Sequence, residues 1–337
     1  MNSREKVLSI FNRTNQGAPA LWTGNPHHET MANYLRELGL EKPEQLYAHF
    51  GDDARWIPAD GGYKHPEGKP MFDPLGGQHR DSLNQAGIFA ETEDVKEVEK
   101  HPWPKAEHCD FSEVIAYIKS FSDKSVWTGM WSPFFHYVAD YFGMDNYFMA
   151  MYTQPDVVDA VTNAILDFHE EANDRFFAEV GDDADVFFFG NDFGTQLDLL
   201  ISPEMFERFV LPGMKRLVNV AKKYNKKVLL HSCGSIYRVI PKLIEIGVDG
   251  LHPLQARARG MEAESLAREY KNDIAFVGGV DTQQLLVTGT PQEVRDEVHR
   301  LRDVFGPNFV VSPSHEAILP NVSLANVMAM VEAAKEA

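Results

Sequence analysis

Lys227-Val228-Leu229-Leu230-His231-Ser232-Cys233-Gly234 is a short apolar run that ends in a histidine, a cysteine and a glycine. A strand wetted on one side alternates apolar with polar residues, whereas a continuous apolar run marks a strand buried on both faces, as in a parallel sheet covered by helices. In an extended segment residues i and i+2 share a face, so the His231 imidazole and the Cys233 thiol point the same way. Such a pair can begin a zinc site. Zinc takes at least three protein ligands, so the rest must come from elsewhere in the chain.

Seven more runs of this kind lie at residues 19–23, 54–58, 125–130, 185–190, 250–254, 274–280 and 308–313. Between them come amphipathic stretches at 156–180, 203–224, 236–246, 261–270, 291–305 and 323–334, with the spacing of surface helices. Eight strands alternating with helices predict an α/β fold, a single (β/α)8 TIM barrel, with residues 1–337 as one domain. A doubly wound sheet is the competing arrangement, but no Gly-x-Gly-x-x-Gly follows the first strand. Residues 60–104 are rich in Gly, Pro, His and charge, and read as an insertion of loops over one barrel face with a hairpin around 87–91.

The composition narrows the partners. The 337-residue chain carries 32 basic and 50 acidic side chains, a net charge of −18. That charge repels phosphate backbones and anionic lipid surfaces, so neither nucleic acid nor membrane is an expected partner. No run approaches the roughly 18 to 20 apolar residues of a membrane helix. The two cysteines, Cys109 and Cys233, are far apart and form no Cys-x-x-Cys. With no apolar signal region at the N-terminus, a reduced, cytoplasmic protein is expected.

A barrel of this class carries its active site where strands run into loops at the C-terminal rim. The polar residues there are Asn25, His27 and His28 after the first strand, Asp60 after the second, and Asn191 and Asp192 after the fourth. The fifth gives His231 and Cys233, the sixth His252 and Gln255, the seventh Asp281, the eighth His315 and Glu316. Each has an ordinary alternative. Cys233 alone reads as a small buried hydrophobe, the commonest state of a free cysteine; His231 on the same face shifts the reading to metal. His315 is the candidate third ligand or a hydrogen-bonded rim residue, with Glu316 a weaker candidate. His27 and His28 follow the turn-forming pair Asn25-Pro26 and read equally as solvent-exposed. Asp192 ends a Val-Phe-Phe-Phe strand, where an unpaired carboxylate is costly, which favours a functional role. His252 points either into the barrel or toward the next loop. Cys109 reads as structural.

The motifs resemble those of the uroporphyrinogen decarboxylase superfamily. The resemblance rests on Gly190-Asn191-Asp192-Phe193-Gly194-Thr195-Gln196 running into Ile201-Ser202-Pro203-Glu204-Met205-Phe206 and Leu211-Pro212, on His231-Ser232-Cys233-Gly234-Ser235, and on Ser312-Pro313-Ser314-His315 through Leu319-Pro320 to Asn326. It implies a single (β/α)8 barrel. The superfamily has two chemical branches. Decarboxylases hold substrate carboxylates with an arginine-rich segment after the first strand, and here Thr23-Gly24-Asn25-Pro26-His27-His28 has no arginine. The decarboxylase tyrosine is also missing: Ala139 stands in the corresponding place, between Tyr137 and Tyr141.

The other branch, zinc-dependent methyltransferases linked to corrinoids, uses His-x-Cys and a later cysteine as ligands. Here His231 and Cys233 match, and His315 stands nearest the place of the missing cysteine. The resemblance therefore implies one zinc per chain on His231, Cys233 and His315, a corrinoid supplied by a partner protein, and a small-molecule methyl acceptor. Asp192 and Asn191 would position the acceptor or orient a ligand imidazole, with Asp60 and His252 as further candidates. His27, His28 and Gln255 are candidates for cofactor contact. Two alternatives stay open: a metal-free decarboxylase-like lyase acting on another carboxylated substrate, and a non-catalytic corrinoid- or metal-binding accessory subunit.

Overall fold

The computed structural model describes residues 1–82 and 84–336. Eight strands form one parallel sheet: β1 (Ala20–Leu21), β2 (Ala54–Pro58), β3 (Ser125–Gly129), β4 (Val186–Gly190), β5 (Lys227–His231), β6 (Gly250–His252), β7 (Ala275–Val280) and β8 (Phe309–Pro313). Their order, β1-β8-β7-β6-β5-β4-β3-β2, winds them into a nearly closed barrel with helices between them, the (β/α)8 TIM barrel expected. All eight lie inside the apolar runs read from the sequence. No described helix is long and apolar enough to cross a membrane.

Strand alternation explains why those runs are apolar throughout. On β4, Val186 and Phe188 point into the barrel, while Phe187 and Phe189 pack outward against the helices. The interior cluster includes Trp22, Trp127, Phe188, Leu229, Val277 and Val310. Helix Ser3–Phe11 plugs it from below with Val7, Ile10 and Phe11. Gly250 makes room for that plug, since a Cβ there would lie 2.6 Å from the Phe11 ring.

The seam between β1 and β2 is closed differently from the other seven. The Asp53 N–H donates to the Leu21 carbonyl at 2.8 Å, and the Leu21 N–H donates to the Asp53 carboxylate at 2.9 Å. Beside it, the Asp52 carboxylate accepts from the Thr23 N–H at 3.1 Å and its hydroxyl at 2.8 Å. Lys6 and Ser3 of the plug helix hold Asp53 at 2.8 and 2.7 Å.

Two predicted helices are interrupted. The 203–224 stretch divides into Pro203–Met205, a widened π turn at Phe206–Val210, and Leu211–Lys223. Pro212 has no N–H to continue the ladder, and its ring crowds the preceding turn, which the π turn relieves. The 236–246 stretch is a 3-10 turn, Tyr237–Val239, followed by helix Ile240–Glu245 with Pro241 in its first turn.

The 60–104 excursion contains a 3-10 turn at Asp60–Gly62 and a helix at Val95–Lys100. The hairpin expected around 87–91 does not form; a turn stands there instead. Its backbone groups find other partners. Phe89 N–H donates to the Tyr141 carbonyl at 2.9 Å and Ile88 N–H to Pro74 at 2.9 Å. Gly87 lies flat on the end of helix Phe134–Phe142, where a Cβ would come within 2.2 Å of the Tyr141 carbonyl oxygen.

Candidate metal centre at the barrel rim

The ends of β4, β5 and β6 stand side by side, with Gly190 opposite His231 and His231 opposite His252. The ladder continues one step past the strands. Asn191 N–H donates to the His231 carbonyl at 3.0 Å, and Ser232 N–H to the His252 carbonyl at 2.9 Å. The loops after β4 and β5 then touch backbone to backbone. Gly234 has φ +83°, and a Cβ there would lie 2.3 Å from the Gly194 carbonyl oxygen. A Cβ on Gly194 would lie 2.6 Å from the Ser235 nitrogen. Glycine is required at both positions to bring Asp192 and Cys233 together.

The result is a compact group of donors. The Asp192 carboxylate accepts the Cys233 N–H at 2.7 Å and stands 3.4 Å from His231 Nε2. The Cys233 Sγ lies 3.4 Å from the same nitrogen. Asp192, His231 and Cys233 thus offer one oxygen, one nitrogen and one sulfur, all within 4.8 Å of one another. The other ring nitrogen, His231 Nδ1, lies 3.0 Å from His252 Nδ1 and 3.5 Å from Glu316 Oε2. His231, His252 and Glu316 form a second group of the same compactness. Glu316 Oε2 and His252 Nε2 are buried, with no hydrogen-bond partner among the described residues.

The electrostatics of the group favour positive charge. Burial alone would hold the His231 imidazole neutral, but its hydrogen bonds to Asp192 and Cys233 and the nearby Glu316 outweigh that and lift its pKa to about 10. Burial would raise Asp192, yet the bond to His231 and the Cys233 N–H bring it down to about 2. Burial pushes the Cys233 thiol up against the pull of His231. His252 is driven well below the ordinary histidine range, first by burial and then by the charges of His231 and His315.

The remaining sequence candidates occupy varied places. His315 is half-exposed; its Nδ1 accepts the Ala317 N–H at 3.1 Å, and its ring centre lies 6.3 Å from that of His231. Asn191 is buried and ties down the loop after β3, accepting from Phe135 N–H at 2.9 Å and donating to the Ser132 carbonyl at 3.2 Å. Asp60 accepts the Trp131 N–H at 3.0 Å, and burial raises its pKa. Gln255 accepts the Gly234 N–H at 2.7 Å. His27 caps helix His28–Leu38 through Nδ1, while the His28 side chain is exposed. Asp281 caps its own loop, accepting from Gln283 N–H at 2.8 Å.

Two contributors were missed. Trp131 packs 5.4 Å from the His231 ring and closes over Gly190, where a Cβ would lie 2.2 Å from the indole. It lies one residue past the run at 125–130, so strand position was the available signal. His136 accepts the Asp192 N–H at 2.9 Å through Nε2; lying inside helix Phe134–Phe142, it carries no signal of its own. Beside Cys233 opens a cavity of about 540 Å³, lined by Cys233, Gln255, Gln196, His315, Gln283 and Asn321 among others. No arginine or lysine lines it among the described residues.

With this geometry in place, the likenesses to known proteins are as follows. The profile of the family uroporphyrinogen decarboxylase (URO-D) matches residues 88–337. A methylcobamide:CoM methyltransferase of Methanosarcina acetivorans is 27% identical over 199 residues, 59% of this chain and 55% of that protein. A methylated-thiol–coenzyme M methyltransferase of Methanosarcina mazei is 26% identical over 194 residues, 58% of this chain and 48% of that one. The match thus spans about half the length of these curated relatives. A solved methyltransferase structure from Methanosarcina mazei superposes with a TM-score of 0.69 at 16% identity, covering 99% of this chain and 98% of that one, which is a likeness of fold.

Proposed function

This chain belongs to the uroporphyrinogen decarboxylase family, and from that premise we propose that it is a zinc-dependent methyltransferase whose 337 residues act as one barrel domain. It moves a methyl group between a corrinoid carried by a partner protein and a small thiol or pterin acceptor. The observation that carries this reading is the convergence of Asp192, His231 and Cys233 into one compact donor group, with Cys233 also lining the open rim cavity. The names of the methyltransferase relatives support the same direction.

The donor set fits zinc. A thiolate, an imidazole and a carboxylate are its usual ligands. The buried Glu316 oxygen, which makes no hydrogen bond among the described residues, and the rim residue His315 are the candidates for a further position. The strong pull of these groups on a proton at His231 is the pull a cation would answer. When bound, the metal supplies a means of holding an acceptor thiol as thiolate at neutral pH, where a free thiol of pKa near 8.5 is only a few per cent ionised.

The chain's own residues do the rest. Asp192 fixes the Cys233 backbone and the His231 ring in one contact set. His136 and Asp60 set the loops carrying Asp192 and Trp131. Trp131 and Phe188 wall the barrel side of His231 with aromatic surface, excluding water there. Gln196, Gln255 and Asn321 line the cavity with neutral polar groups, which suits an uncharged or weakly charged acceptor better than a polycarboxylate.

The test is metal analysis joined to a methyl-transfer assay. Purified protein reconstituted with zinc should hold about one equivalent per chain, and His231→Ala and Cys233→Ala should each lose it. The zinc form should demethylate methylcobalamin in the presence of a thiol. Undiminished metal content in both variants, or undiminished turnover after exhaustive chelation, would overturn the reading.

A further inference from the structure

Around Cys233 the walls of the rim cavity are amides and hydroxyls: Gln196, Gln255, Gln283 and Asn321, with Thr282 and Ser314. Their own hydrogen bonds set what each has left to offer. Gln255 Oε1 accepts the Gly234 N–H at 2.7 Å, so the hydrogens of its NH2 group remain for a ligand. Ser314 Oγ accepts the Thr282 N–H at 3.0 Å, and the two hydroxyl oxygens lie 3.1 Å apart, so one hydroxyl hydrogen is used between them and the other is left. His315 Nδ1 accepts the Ala317 N–H at 3.1 Å, which places its ring hydrogen on Nε2. No Phe, Tyr or Trp stands in the wall among the described residues.

Charge at the reacting end runs against an anion. The carboxylates of Asp192 and Glu316 stand 3.4 and 3.5 Å from the His231 ring nitrogens, beside the Cys233 sulfur that lines the cavity. A ligand with an anionic tail would bring further negative charge into walls that hold no Lys or Arg among the described residues. An ion taken from water without a counter-charge is costly, and sulfonate-like oxyanions are ordinarily met by guanidinium forks. Arg257 and Arg259 follow Gln255 on the same loop, but the Arg257 guanidinium pairs with Asp281 at 3.3 Å, and neither residue lines the cavity.

We infer, on the methyltransferase reading above, that the acceptor received here is a thiol with an uncharged tail bearing amide or hydroxyl groups, and neither a thiol sulfonate nor a pterin. The tail carbonyl meets donors of the Gln255 and His315 kind, and its N–H or O–H meets the side-chain carbonyls of Gln196, Gln283 or Asn321. A pterin presents flat faces for stacking, and this wall has no aromatic side chain to receive them. Coenzyme M, the thiol in the names of the methyltransferase relatives, is 2-mercaptoethanesulfonate, so this chain parts from them in its acceptor. In the transfer the thiol loses its proton to solvent, a sulfur lone pair forms the S–CH3 bond, and the electron pair of the broken Co–CH3 bond stays on the cobalt of the partner's corrinoid.

N-acetylcysteamine and 2-mercaptoethanesulfonate test it, because they share a two-carbon thiol arm and differ in an amide against a sulfonate tail. With methylcobalamin as donor, the amide thiol should show a KM at least about tenfold below that of the sulfonate. Calorimetric binding of the two S-methyl products to the purified protein, a readout independent of turnover, should follow the same order. Gln283→Arg, which adds a guanidinium to the wall, should narrow or reverse the preference. Equal or better binding and turnover of the sulfonate, or a preference for tetrahydrofolate over both thiols, would overturn the inference and leave the methyltransferase reading standing. Transfer to none of these acceptors would overturn that reading and the inference with it.

Discussion

The Nδ1 atoms of His231 and His252 lie 3.0 Å apart across the β5–β6 ladder. Two ring nitrogens at that distance share a single hydrogen, so one donates and the other accepts. With Nε2 given to a metal beside Cys233 and Asp192, His231 would carry its hydrogen on Nδ1 and donate it to His252. That hydrogen bond keeps His231 Nε2 facing Cys233 and Asp192. An outer partner that fixes a ligand's tautomer in this way typically contributes 10- to 100-fold in metal affinity. His252→Phe should therefore weaken zinc binding by about that factor, while His252→Asn, which keeps an acceptor, should recover part of it. Competition titration against a chromophoric chelator measures both.

The contact between Gly194 and Gly234 is the second point of leverage. Gly234→Ala meets the Gly194 carbonyl at 2.3 Å and strains a backbone at φ +83°, which costs on the order of 1 to 3 kcal/mol. Urea denaturation should show that loss. Because the displaced loop carries Cys233, zinc content should fall as well, a pairing that a remote destabilising substitution would not produce.

His169 gives the fold an acid sensitivity. Burial alone holds its pKa down, at about 3, while its Nδ1 lies 3.2 Å from the Ser132 hydroxyl. The unfolded chain protonates this residue near 6.5, the folded chain only near 3, so its stabilising effect is complete above pH 6.5 and declines as pH falls toward 3. Between pH 7.5 and 4.5 this residue alone should cost about 2 to 3 kcal/mol. His169→Gln should show a correspondingly smaller loss over that interval, read from urea midpoints at the two pH values.

Asp53 should matter more than its place in a loop suggests. Asp53→Ala removes the acceptor of the buried Leu21 N–H and the partner of Lys6, which should cost about 2 to 4 kcal/mol. Asp53→Asn keeps an acceptor and should cost less. Thermal unfolding of the two variants separates the hydrogen bond from the charge.

The strands could be read from sequence because a parallel strand buried on both faces leaves an uninterrupted apolar run, and Val186 to Phe189 is such a run. The shortness of β1 could not, since its pairing with β2 is replaced by the Asp53 carboxylate, a tertiary choice with no periodicity. The 87–91 hairpin failed for a related reason: the partner for Phe89 is the Tyr141 carbonyl, at a helix end remote in sequence. At the rim, His231 and Cys233 were legible because i and i+2 on a strand fix direction. Asp192 was legible as a lone carboxylate ending an aromatic strand. His136 was not, because its role depends on which loop happens to cross its helix. The orientation of Glu316 relative to His315 was likewise beyond reach, as both follow the strand in a segment without regular geometry.

The carboxylate-closed seam also bears on the metal centre. Gly24, just past β1, lies so close to Glu316 that a Cβ would stand 2.2 Å from its carbonyl oxygen, and the Asn25 N–H donates to that oxygen at 2.7 Å. The strand secured by two aspartates therefore props the wall on which Glu316 leans toward His231. A lapse of the latch at the barrel's floor would be felt first at its mouth, as a change in the reach of a single carboxylate.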